Sequence, residues 1–251
     1  MSAVRLADLT SEDARKAQER ARVAILPVGA TEQHGPHLAV ATDARIAEAF
    51  ADRLGSELGA EALVCPLVPY GLSEHHAGFP GTLTLRATTF LAVMGDLVVS
   101  LGSQGFQRVV IVNGHGGNME ALSLVVRQAR NEHGILVASM MWAKLARDVC
   151  AAEAVGASYG HACELETSLA MALAPELVRK ERIVEPAPRP EIEPLSAPPA
   201  PFVDVAVRFD EITRDGVYGD PRYASVELGE KILRVALERA VAFTRAFTEG
   251  P

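Results

Sequence analysis

The chain has 251 residues, enough to bury a sizeable core, and it is read as one α/β domain over 1–251. Its net charge of −8 disfavours a nucleic-acid partner, which needs a net basic face. No run of 18 or more apolar residues is present, so no membrane span is expected. The first residues lack the basic-then-apolar layout of a leader, and the three cysteines (Cys65, Cys150, Cys163) are odd in number and widely spaced. That is no disulfide framework, and the expected compartment is cytoplasmic.

In chain order, Val23–Val28 is a short apolar run bounded by polar residues, as expected of a buried strand. From Asp43 to about Leu58, Ile46, Ala47, Phe50 and Leu54 fall on one helical face. Residues 62–67 read as a second strand, with Pro66 marking its end or an edge. Residues 88–101 are helical in pattern, and 108–112 form the clearest strand. It stops at Asn113-Gly-His-Gly-Gly-Asn118, and a helix follows through Leu122, Leu124, Val125 and Val126. Residues 135–138 look like a fourth strand. A helix is also expected from Glu164, and another from about Tyr223 to Phe247. Strand–helix alternation implies a mainly parallel sheet with helices on both faces, whose ligand site lies beyond the strands' carboxyl ends. The stretch 185–201 holds seven of the fifteen prolines and reads as an extended arm.

Three loops carry residue types suited to hydrolytic chemistry. Thr31-Glu-Gln-His-Gly-Pro-His37, followed by Asp43, follows the first strand; Glu32 and His34, two apart on extended backbone, point the same way. Glu, His and Asp suit Zn²⁺, Mn²⁺ or Fe²⁺, whereas the alternative is a polar loop with incidental histidines. His115 ends the clearest strand, in a glycine-rich loop that fits neither dinucleotide nor Walker patterns. In Gly160-His-Ala-Cys-Glu-Leu-Glu-Thr-Ser168, His161 and Glu164 share one side of a first helical turn and Glu166 projects from another. Acidic residues in a first turn also stabilise a helix without any catalysis. His75 and His76 line a pocket or are solvated. Cys163 has no basic neighbour to lower its pKa and reads as a small buried residue. Trp142, the single tryptophan, is core or pocket wall.

Gly-Ala-Thr-Glu-Gln-His-Gly-Pro-His (29–37) with Asp43, Phe-Pro-Gly-Thr (79–82), Asn-Gly-His-Gly-Gly-Asn (113–118) and Glu-Thr-Ser (166–168) resemble the signature blocks of the creatininase family, in family order. The stretch 215–221 is similar to the family's C-terminal block. The resemblance implies a three-layer α/β/α fold, a hexamer, and two divalent metal ions per chain. Carried over by position, Glu32 and His115 hold one ion, His34 the other, and Asp43 bridges them. Creatinine-hydrolysing members place a glutamate ligand two residues after the second-block histidine, where this chain has Gly117. Glu166 is the expected replacement, with Glu164 as the alternative. Those members also carry a tryptophan shortly before the third-block histidine, where this chain has Gly-Ala-Ser-Tyr (156–159). Both departures argue against creatinine itself.

The resulting expectation is an amidohydrolase for a small amide, cyclic amide or formamide, acting on C–N bonds other than peptide bonds. A water activated by the cations attacks the carbonyl carbon. His161, oriented by Glu164, protonates the leaving nitrogen, while a metal, Asn113 or His161 steadies the oxyanion. His75 and His76 face the substrate. The alternatives are a formamidopyrimidine-type deformylase, a peptide-maturation hydrolase of the same family, and a non-catalytic scaffold oligomer.

Overall fold

The apolar run at 23–28 becomes strand β1 (Val23–Val28), buried along its whole length, as an interior parallel strand must be. In the computed structural model of the chain, residues 2–154, 160–187 and 206–250 are described. The proline tract expected to form an arm lies outside them from residue 188 onward.

A helix the sequence reading did not foresee, α1 (Ser11–Gln18), precedes β1; the Thr10 side chain caps it by accepting from Asp13 N. There follow α2 (Thr42–Leu58), β2 (Ala62–Val64), α3 (Ala87–Ser103), β3 (Arg108–Asn113), α4 (Met119–His133) and β4 (Leu136–Met140). Two short helices, α5 (Trp142–Leu145) and α6 (Arg147–Glu153), lead toward α7 (Glu164–Leu173). The described chain closes with α8 (Phe209–Ile212) and α9 (Val226–Glu249), whose Ser225 cap accepts from Leu228 N. β2 is shorter than expected. Pro66 has no N–H to give, and pairing with β1 resumes only at Val68, whose N–H donates to the Pro27 carbonyl.

The four strands are parallel in the order β2-β1-β3-β4. Alternation along β1 divides the core in two. Val23 and Ile25, with Val64, Val110 and Val112, pack under α2, α7 and α9; Ala24, Leu26 and Val28, with Leu63, Val109 and Ile111, pack under α3 and α4. The result is the three-layer α/β/α architecture implied by the resemblance. No helix among the described residues is long and apolar enough to cross a membrane.

Candidate metal centre

β1 and β3 are neighbours, yet the chain runs outward from them in opposite directions across the sheet, and a ligand crevice forms at such a reversal. The loop after β1 carries Glu32 and His34, and the loop after β3 carries His115. Asp43 comes from the first turn of α2. It reaches the strand ends because Gly29 and Gly114 lack side chains: a Cβ would lie 2.4 Å from Ala44 Cα at Gly29 and 2.2 Å from the Asp43 carbonyl oxygen at Gly114. His161 and Glu166 arrive with the start of α7, and His75 and His76 with the 3₁₀ turn Glu74–His76. Glu32, His34, Asp43, His76, His115, His161 and Glu166 are all more than nine-tenths buried.

Three imidazoles are held in the same manner. His34 Nδ1 lies 3.1 Å from the Glu32 carbonyl oxygen, His115 Nε2 lies 2.8 Å from that of Leu72, and His161 Nε2 lies 2.6 Å from that of Gln33. A carbonyl only accepts, so each of these nitrogens carries the proton and the opposite ring nitrogen turns a lone pair inward. The inward nitrogens meet carboxylates. His34 Nε2 is 3.1 Å from Asp43 Oδ1 and 3.7 Å from Glu166 Oε2. His115 Nδ1 is 3.0 Å from Asp43 Oδ2 and 3.3 Å from Glu32 Oε1, and His161 Nδ1 is 3.6 Å from that same Glu32 oxygen. Both Glu32 oxygens and Asp43 Oδ2 are buried without a hydrogen-bond donor.

Buried lone pairs facing buried carboxylates require positive charge between them. The ligand atoms of Glu32, His34 and Asp43 lie within 4.8 Å of one another, as do those of His34, His161 and Glu166. The donor set is nitrogen and carboxylate oxygen, which suits zinc and its first-row neighbours. The same charges govern the protons. Burial alone would lower His34 and His115, but Asp43 and Glu166 hold His34, and Glu32 and Asp43 hold His115, well above the ordinary imidazole range. Burial raises the Glu32 carboxyl, while His34 and His115 overcome burial to hold that of Asp43 low. Imidazolium protons and a divalent cation would thus compensate the same buried negative charge in alternative ways, and a cation held there would release those protons.

The remaining expected residues divide. His76 accepts from Gln33 Nε2 through Nδ1 (2.8 Å), and its Nε2 lies 3.3 Å from Glu32 Oε1 without completing a hydrogen bond; His76 also lines the cavity above the centre. Its pKa is lowered to about 2 by burial and by His75 and His115. His75 is half-buried, stacks on His115 with ring centres 5.5 Å apart, and lines the cavity above the centre. Asn113, expected to steady an oxyanion, has its amide engaged within its own loop: Nδ2 donates to the His115 carbonyl (2.6 Å), and Oδ1 accepts from His115 N and Asn118 Nδ2. Glu164, expected to orient His161, accepts through Oε2 from Asp220 N (3.1 Å), and the Gln33 carbonyl orients His161 instead. Burial lifts the Cys163 thiol to about 12, which agrees with a packing role.

Three contributors were missed by sequence reasoning. Gln33 accepts from Gly35 N and donates to His76 and to the Gly216 carbonyl, tying the C-terminal block to the centre. Asn118 ties the loops at Gly29, Leu72 and Asn113 together. Both stand inside quoted motifs, where they could have been singled out. Phe209 packs on His76 (4.0 Å between ring centres) and His161 (5.0 Å), and no local pattern marks it.

A cavity of about 510 Å³ opens on Asp43, His115, His161 and Glu166, walled by Trp142, Met119 and Phe209 among others. A larger one, about 950 Å³, lies along the outer face of α9 between Leu233, Leu237 and Val241, far from any ligating group described here. Chemistry selects the smaller. Residues 7–244 match the creatininase family model, described as creatinine amidohydrolase.

The chain belongs to the creatininase family. A mycofactocin precursor peptide peptidase from Mycolicibacterium smegmatis is 34% identical over 237 residues, covering 89% of this chain and 85% of its own length. A creatinine amidohydrolase from Pseudomonas putida is 30% identical over 235 residues, covering 86% of each. A solved creatinine amidohydrolase superposes with a TM-score of 0.83 at 28% identity over 99% of both chains. As a creatininase-family amidohydrolase, the protein is a hydrolase of carbon–nitrogen bonds.

Within that family, the Gly117 departure has a steric cause. A Cβ there would lie 2.4 Å from the Leu72 carbonyl oxygen, 2.5 Å from His115 Nε2 and 2.8 Å from His75 Cε1. The space a glutamate stem would need is filled by the group that orients His115 and by the ring stacked on it. Glu166 approaches His34 from the opposite wall, held by the Ala162 N–H at 2.7 Å. Ala162 adopts φ 49°, a strained left-handed conformation for a residue with a side chain.

Proposed function

We propose that this family member hydrolyses the amide bond of a small molecule with two divalent ions, zinc, manganese or iron. The reading rests on Asp43, whose Oδ1 faces His34 while its Oδ2 faces His115, the disposition of a carboxylate shared by two cations. In this reading Glu32, Asp43 and His115 hold one ion, and His34, Asp43 and Glu166 hold the other. When bound, such ions lower the pKa of a water and polarise a carbonyl oxygen.

The chain's own groups supply the rest. His161, its Nε2–H fixed on Gln33, presents Nδ1 as a base that takes a proton and returns it to the leaving nitrogen. His76 lies beside Glu32, and Phe209 covers both rings against water. Asn113 shapes the His115 loop, and His75 borders the substrate. Protein purified without chelator is expected to hold close to two divalent ions per chain by elemental analysis. A content near zero that Zn²⁺, Mn²⁺ and Fe²⁺ fail to restore overturns the reading.

For the substrate, we favour an amide, cyclic amide or formamide other than creatinine. A second reading, a peptide-maturation hydrolase, is supported by the 34% identity to the mycobacterial peptidase and by a further cavity of about 370 Å³ beside the first, with Met119, Met141 and Lys144 in both walls. Turnover of peptide amides with no turnover of formamides selects the second; rapid turnover of creatinine overturns both. A homohexamer in the cytoplasm completes the reading, and sedimentation of the metal-loaded protein tests the assembly.

A further inference from the structure

The cavity that opens on this acidic centre also has cations in its wall. Lys144, in α5, and Arg147, the first residue of α6, line it together with Asp43, His115, His161 and Glu166. Both side chains are exposed, and neither has an ion pair or hydrogen bond among the described residues. In a chain of charge −8 that is a choice of position, because carboxylates are abundant. The acid nearest in sequence, Asp148, is taken by Arg239, and Glu153 by Lys231. Helix stability does not explain Arg147 either, since a cation at a helix start opposes the dipole. Between the two cations and β4, Trp142 holds an indole N–H that is buried without an acceptor, and indole can only donate. The stretch 141–147 therefore offers two cations and no acid to the cavity that contains the centre.

We propose that Lys144 and Arg147 are specificity-determining residues that bind a carboxylate carried by the substrate away from its scissile bond. The substrate class is then a carboxylate-bearing amide, such as an acylated or formylated amino acid or the end of a peptide. This rests on the two-ion amidohydrolase reading above. The planar Arg147 fork suits a bidentate carboxylate, and Lys144 adds a mobile point charge. Because both are exposed, the preference is screened by salt.

The test uses the metal-loaded full chain and six probes: the succinyl, glutaryl and adipyl monohydroxamates, whose hydroxamate anchors on divalent ions, and the methyl ester of each. By calorimetry, at least one free acid is expected to bind about tenfold or more tightly than its ester, with the ratio shrinking in 0.5 M salt. K144A and R147A should each remove part of that ratio and the double variant all of it, with ester affinity, metal content and melting unchanged. Metal uptake without any acid preference, or a preference that survives the double substitution, overturns the proposal alone. Protein that takes up no metal and binds neither series overturns the two-ion reading, and the proposal with it.

Discussion

Glu166 and Glu164 stand two residues apart at the start of one helix, both buried, with different partners. Glu166 faces His34, and Glu164 accepts from the Asp220 N–H. Glu166→Gln keeps the volume and an oxygen for the Ala162 N–H but loses the anionic ligand, so elemental analysis should find about one ion per chain instead of two. Glu164→Gln keeps an acceptor for Asp220 and should retain both ions, at a cost of about 1 kcal/mol in chemical denaturation. The reverse result would swap the roles. Gly117→Glu, which restores the residue type of creatinine-hydrolysing members, should lose metal rather than improve the site. Its Cβ must displace the Leu72 carbonyl that holds His115, and full occupancy in that variant would contradict the steric account.

At the level of elements, the centre depends on how closely α2 approaches the ends of β1 and β3. Gly114→Ala sets a methyl group against the Asp43 carbonyl, 2.2 Å from the unshifted position, with no flexible atom to yield. Over-packing of this kind costs about 1–3 kcal/mol, and the helix that moves is the one bearing Asp43. A lowered melting temperature together with lost metal is expected; loss of stability with both ions kept would separate helix position from metal binding. α2 and α9 were legible from their apolar stripes, and β1 and β3 from their uninterrupted apolar runs. α1 was not, because none of its residues is fully buried and its sequence, Ser-Glu-Asp-Ala-Arg-Lys-Ala-Gln, is mostly polar.

Across the whole molecule, the buried carboxylates are the least stable part of the design without a counter-charge. Cations that bind only the folded chain stabilise it by mass action, about 2.7 kcal/mol per site at a free concentration 100 times Kd. Chelation should therefore lower the melting temperature by several degrees, and zinc or manganese should restore it. An unchanged melt after complete removal of metal would mean that the cluster is satisfied by protons alone.

Residue types and local spacing were sufficient for the alternating architecture and the loops that carry the chemistry, while the set Glu32, His34, Asp43, His115 and Glu166 came from the resemblance to the creatininase family, with Glu164 as the alternative to Glu166. Strands declare themselves by burial along a few consecutive residues, and metal-binding chemistry by the side chains that can perform it. Which nitrogen of His115 and of His161 faces inward was decided only in three dimensions, because the carbonyls of Leu72 and Gln33 lie 43 and 128 residues from the rings they fix. The closure of Gly117, the engagement of the Asn113 amide, the Phe209 cover and the cationic wall at Lys144 and Arg147 depend likewise on segments distant in sequence. They meet because a parallel sheet gathers its loops at one end, and no local pattern encodes the distances between loops.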